Sequence, residues 1–160
     1  MNGEGMLGLD TACASLTEPG DKVLVISNGI FGDGFKDLVE TYGGEVTLLE
    51  TDIKKTLDID KLRIFLEKNA TIVHCDTPSG VLNNVEVICK ILKSEGIMTV
   101  VDSVAAVGGV QLDVDGWGID IALGGSQKVF SAPSGITIMT VSNDAWKAIE
   151  SRKTPIASLL

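Results

Sequence analysis

Short apolar runs rich in β-branched residues recur along the chain, each followed by a turn signal and usually by a stretch of helical periodicity. They occupy residues 22–27, 45–50, 71–75, 97–101, 120–124 and 136–141. Hydrophobicity within them is near-continuous rather than alternating, as a strand covered on both faces requires. Between them, residues 5–16, 31–42, 58–68 and 83–95 read as helices. Asp58 suits a cap for the third, which gathers Leu62, Phe65 and Leu66 on one face. The fourth gathers Val87, Ile88, Ile91 and Leu92. Pro19-Gly20, Gly43-Gly44 and Gly96 end the helices before them.

Strands and helices in alternation imply an α/β fold, a three-layer doubly wound and mostly parallel sheet. The interval from Gly124 to Ile136 is too short for a helical crossover, so the last strand is expected to return antiparallel beside its predecessor. No linker or repeat divides residues 1–160, which are read as a single domain. The chain opens on a glycine-rich turn with no strand before it. In doubly wound folds such a turn follows a strand, so the first strand of the sheet is expected to be missing. That would leave 136–141 as an apolar edge open to pairing.

Composition narrows the partners. Of 160 residues, 44% are hydrophobic and 22% charged, enough to bury a core. Thirteen basic against 22 acidic residues give a net charge of −9. That argues against nucleic acid or an anionic membrane as partner. Cys13, Cys75 and Cys89 form no Cys-x-x-Cys pair, and neither a disulfide framework nor a thiolate metal site is expected. With no targeting segment at the start and no apolar run near the ~18 residues that span a bilayer, a cytoplasmic setting fits best.

In an open α/β sheet, ligands bind outside the carboxyl ends of the strands. Asp102 follows a buried run and would be desolvated there, in need of a cation; it equally suits an N-cap opening residues 103–107. Lys128 follows Gly124-Gly125-Ser126-Gln127. Burial among glycines and apolar residues would favour a free, nucleophilic amine, although most such lysines simply snorkel to the surface. The two lie 26 residues apart, about one strand–connection–strand unit, and so should leave neighbouring strands on one rim. A Schiff-base lysine with an acid for the pyridinium nitrogen is the arrangement of a pyridoxal phosphate enzyme. Asn2-Gly3-Glu4-Gly5-Met6 offers a phosphate-binding helix start. A nicotinamide reading of the same glycines needs a preceding strand and an acidic ribose ligand, which Glu50 supplies only loosely.

Nearly the whole chain resembles the class V aminotransferases of pyridoxal-phosphate fold type I, closest to the alanine–glyoxylate and serine–pyruvate branch. The resemblance rests on residues 18–25, Asn28-Gly-Ile-Phe-Gly, His74-Cys-Asp-Thr-Pro-Ser-Gly-Val-Leu-Asn, Val101-Asp-Ser-Val-Ala-Ala-Val-Gly-Gly and residues 118–128 ending Gly-Ser-Gln-Lys. It implies an aminotransferase passing the amino group of alanine or serine to a 2-oxo acid such as glyoxylate or pyruvate. By position, Lys128 resembles the lysine that forms the Schiff base and shuttles the proton, and Asp102 the acid on the pyridine nitrogen. Thr77 corresponds to the hydroxyl beside the ring 3′-oxygen. Phe31 and Val104 correspond to the residues against the two ring faces, and Glu4, Gly5, Met6 and Gln127 to the phosphate contacts. A homodimer is implied as well.

The chain departs from the family at several points. Glu4 puts a carboxylate where a hydroxyl usually faces the phosphate, which opposes a dianion. Asp76 replaces a longer acid, and Pro78 a small hydroxyl residue. The family's N-terminal segment and C-terminal small domain, with its substrate-binding arginine, have no counterpart; Arg63 and Arg152 do not match it. A non-catalytic binding or oligomerisation module therefore stays open as an alternative, as do an aminoethylphosphonate transaminase and a cysteine desulfurase-like enzyme. Gln127 stands against the last, since desulfurases place a histidine before the lysine.

Overall fold

The computed structural model describes residues 1–62 and 68–155. Six strands form the main sheet: β1 (Lys22–Ser27), β2 (Glu45–Glu50), β3 (Asn69–Val73), β6 (Met98–Asp102), β7 (Ile121–Gly125) and β8 (Thr137–Val141). Their spatial order is β2-β1-β3-β6-β7-β8, and every pairing is parallel except β7 with β8. The antiparallel return expected of the last strand is present. Two further strands, β4 (Cys75–Asp76) and β5 (Val81–Leu82), make a separate hairpin.

The near-continuous hydrophobicity has its expected cause. Along β1, Val23 and Val25 point into one core layer with Phe35 and Val39 of helix α2 (Ile30–Thr41) and Leu9 of α1 (Gly5–Leu16). Leu24 and Ile26 point into the other, with Ile88 and Leu92 of α4 (Val85–Ser94). A strand between two helical layers must be apolar on both faces.

Several expectations need correction. The third strand covers Asn69–Val73 rather than 71–75: the His74 N–H still makes the last bond to β6, donating to the Asp102 carbonyl at 2.8 Å, but its carbonyl turns away and accepts from Asn83 N–H. Val87 does not join the buried stripe of α4, which runs through Val85, Ile88, Cys89 and Leu92 and leaves Val87 exposed. For the third predicted helix, α3 (Ile59–Leu62) is described and Asp58 Oδ1 accepts from Asp60 N–H at 3.1 Å. Arg63, Phe65 and Leu66 lie outside the described residues. Two helices were not anticipated, the single turn α5 (Val114–Trp117) and α6 (Asn143–Glu150), whose Ser142 hydroxyl caps Ala145 N–H at 3.0 Å.

The glycine-rich opening is itself extended. Met1 and Thr137 exchange hydrogen bonds of 2.9 and 3.0 Å, and Gly3 N–H donates to the Gly135 carbonyl at 2.8 Å. The edge of β8 is thus covered at its first residues and open beyond them, not bare throughout. Among the described residues, no helix is long and apolar enough to cross a membrane.

Candidate active site

Register brings the acid and the amine together. At the carboxyl rim, Asp102 is the last residue of β6 and pairs with Val73 on one side and Leu123 on the other. Two residues beyond Leu123, β7 ends at Gly125, and Ser126, Gln127 and Lys128 turn over the same rim. Both Asp102 and Lys128 line a cleft of about 220 Å³. One wall is the start of α1, with Glu4, Gly5 and Met6; Phe31 from α2, Val104 and Gln127 close the others. A smaller adjoining cleft shares Phe31, Asp102, Val104 and Lys128 and adds Cys75, Thr77 and Ala105. The residues singled out from the sequence therefore surround one continuous site.

Asp102 is 7% exposed. Burial pushes its carboxyl above the ordinary value of 3.8, while the Val104 N–H bonded to Oδ1 at 2.9 Å and the nearby Lys128 charge pull the other way. Residues 103–107 form a turn rather than the helix an N-cap would open; the Asp102 carboxylate accepts from that turn and also lines the cleft. The expectation for Lys128 needs correction. It is exposed rather than buried, because it sits past the end of β7 in a loop whose cleft side is open.

The start of α1 is built to present backbone donors. Glu4 is the N-cap residue, yet its side chain makes no capping bond, and α1 carries no acidic residue in its first turn. The turn is pinned from behind by Thr137, whose hydroxyl lies 2.9 and 2.7 Å from the Gly3 and Glu4 carbonyls it donates to. Gly5 lies flat against Val104: a methyl there would come within 2.8 Å of Val104 Cγ2. Thr137 carries no local sign of this role, because its partner lies 134 residues away. Cys75 and Ala105 also went unnoticed as cleft residues; their positions just past β3 and β6 were the available signal.

Arg152, far from the cleft, donates from Nη1 to the Ser15 and Thr17 carbonyls at 3.0 and 2.7 Å and so closes the other end of α1. On the buried side of the rim, His74 Nδ1 lies 3.0 Å from Ser103 Oγ, and burial lowers the imidazole pKa.

An acid and a lysine thus sit at the carboxyl ends of adjacent strands of a mostly parallel sheet, facing a helix N-terminus, where open α/β folds bind their ligands. Residues 3–154 match the model of the class V aminotransferases, and the chain belongs to that family. It is 31% identical to pyridoxamine–pyruvate transaminase of Mesorhizobium japonicum, over 100% of this chain and 42% of that protein. It is 32% identical to (S)-ureidoglycine–glyoxylate transaminase of Bacillus subtilis, over 96% of this chain and 38% of that one. The crystal structure of the Bacillus subtilis ureidoglycine–glyoxylate aminotransferase superposes with a TM-score of 0.94 at 33% identity, covering 99% of this chain and 42% of that chain. The chain thus spans about two-fifths of the length of the relatives it matches.

The family's cofactor is pyridoxal 5′-phosphate, and the residues present fit it. The unsatisfied backbone donors at the start of α1 suit a phosphate. Gln127 lines the same cleft, and the NH2 of its amide is the group that suits a phosphate oxygen. Asp102 suits a protonated ring nitrogen, whose charge would offset the cost of burying the carboxylate.

Proposed function

We propose that this chain forms the cofactor-binding large domain of a pyridoxal-phosphate-dependent aminotransferase. It would pass the amino group of a small amino acid such as alanine or serine to a 2-oxo acid such as glyoxylate or pyruvate. The observation that carries the reading is the convergence of buried Asp102 and solvent-facing Lys128 on one cleft from the ends of neighbouring parallel strands. Relatives named for pyruvate and glyoxylate support the substrate class.

Bound pyridoxal phosphate supplies an electron sink for charge developing at the substrate Cα. Lys128 would supply the amine that anchors the cofactor and would serve as the base and acid that moves a proton from the substrate Cα. Asp102 holds the proton on the ring nitrogen. Phe31 and Val104 would hold the ring between them, and Thr77 would donate to its 3′-oxygen. The N–H groups of Gly5 and Met6, with Gln127, receive the phosphate. The open side of the cleft, with Met6 57% and Phe31 39% exposed, suits a homodimer in which a partner completes the site. The net charge of −9 supports a protein with neither nucleic acid nor an anionic membrane as partner, and the unpaired cysteines support a cytoplasmic one.

Glu4 favours a second reading, a non-catalytic binding module, because its carboxylate opposes the phosphate it would face. Absorption spectroscopy separates the two. The aminotransferase reading expects a visible band with pyridoxal phosphate, lost in Lys128→Ala and converted by alanine or serine. A band that neither amino acid alters selects the binding module, and no band at saturating cofactor removes both cofactor roles.

A further inference from the structure

The loops carrying Asp102 and Lys128 are packed together through glycines, and in both directions. A methyl on Gly124, in the strand leading to Lys128, would come within 2.8 Å of Val107 Cγ1; one on Gly125 would meet Val104 Cγ1 at 3.1 Å. Conversely, a methyl on Gly108 would come within 3.0 Å of the Phe130 ring, and one on Gly109 within 3.2 Å of both Val129 methyls. Gly108 has φ +87°, a conformation that side chains disfavour. Each loop thus sets its valines or its phenylalanine into glycine-lined hollows of the other.

Nothing polar competes with this contact. The 103–110 turn closes on itself, with Ala106 and Val107 N–H donating to the Ser103 carbonyl and Gly109 and Val110 N–H to that of Ala106. The lysine loop closes likewise, through Ser131 N–H to the Lys128 carbonyl and Ser126 Oγ to that of Pro133. Among the described residues, no hydrogen bond joins the 104–110 turn to the 127–133 loop. Close packing is stiff toward the loss or addition of single methyl groups.

We propose that this reciprocal glycine clasp sets the spacing between Asp102 and Lys128, with Gly109, Val129 and Phe130 as positioning residues. The inference rests on the cofactor reading for its purpose but not for its test. Phe130 and Val129 are half-exposed, so their loss spares the core.

The carboxyl carbon of Asp102, followed by NMR through a pH titration of the cofactor-free protein, reports how near the Lys128 charge lies. Glu4 and Cys75 are the other titratable groups of the two clefts. Phe130→Ala releases the lysine loop, and the Asp102 midpoint should rise by about 0.3 pH unit, the effect of moving a unit charge roughly 1 Å near a protein surface. Phe130→Leu should restore it. Gly109→Ala should shift the midpoint by displacing Val129, and adding Val129→Ala should reverse that shift, as a shared contact requires. A midpoint unmoved in Phe130→Ala with the fold intact overturns the clasp, as does a double variant that shows only the sum of its parts. The visible band of the unsubstituted protein is read separately: its absence overturns the cofactor reading, while the carboxyl titration still decides the clasp.

Discussion

Asp102 links the site to stability. Its pKa is raised in the folded chain, so the folded state keeps the proton over a range where the unfolded chain has released it. Stability therefore falls as pH climbs from the ordinary value of 3.8 through the elevated one. Asp102→Asn should stabilise the cofactor-free protein at pH 7 by on the order of 1 kcal/mol. In urea melts the gap should narrow as pH is lowered toward 4; a variant less stable than its parent at pH 7 would contradict this. The thiols offer a second residue-level check. Cys13 and Cys89 are buried, with pKa values pushed up to about 12, whereas half-buried Cys75 opens to the smaller cleft. Burial and the Asp76 charge raise its pKa too, so labelling should be slow and accelerate with pH. A thiol reagent should modify Cys75 first in the native protein, and pyridoxal phosphate should protect it. Mass spectrometry showing Cys13 or Cys89 labelled ahead of it would contradict the placement.

At the scale of elements, the start of α1 depends on a residue of the last strand. Thr137→Val removes the hydroxyl that holds the Gly3 and Glu4 carbonyls while keeping the packing beside Gly8. The expected cost is about 1 kcal/mol in stability, with a larger loss of affinity for pyridoxal phosphate than for pyridoxal, which lacks the phosphate. Equal losses for the two ligands in a spectral titration would place the effect elsewhere. The elements were legible where local pattern alone decides: α1, β1 and β2 fall on the residues their apolar runs predict. They were illegible where tertiary bonds decide. The third strand stops at Val73 as the His74 carbonyl turns to Asn83 N–H, and the hairpin of β4 and β5 is too short to leave a period. The rim of strand ends could be read from the sequence, so the candidate site residues could be named. The exposure of Lys128 could not, because it depends on which side of the loop other elements cover.

For the whole molecule, the open part of the β8 edge has the clearest consequence. Ile138 is 47% exposed beside unpaired strand backbone, and such an edge templates pairing with another chain. Sedimentation of the isolated chain should show self-association that grows with concentration and is suppressed by Ile138→Lys. A monomer at high concentration would show that Met1–Gly3 protects the edge sufficiently.

Thr137 and the opening turn meet across almost the entire chain. On a ribosome, residues 4–6 are made well before the hydroxyl that shapes them, which follows more than a hundred residues later. On the proposed cofactor reading, the vitamin-derived ligand would have no complete cradle to enter before Thr137 is made, and its capture would report that this portion of the polypeptide has been translated and folded.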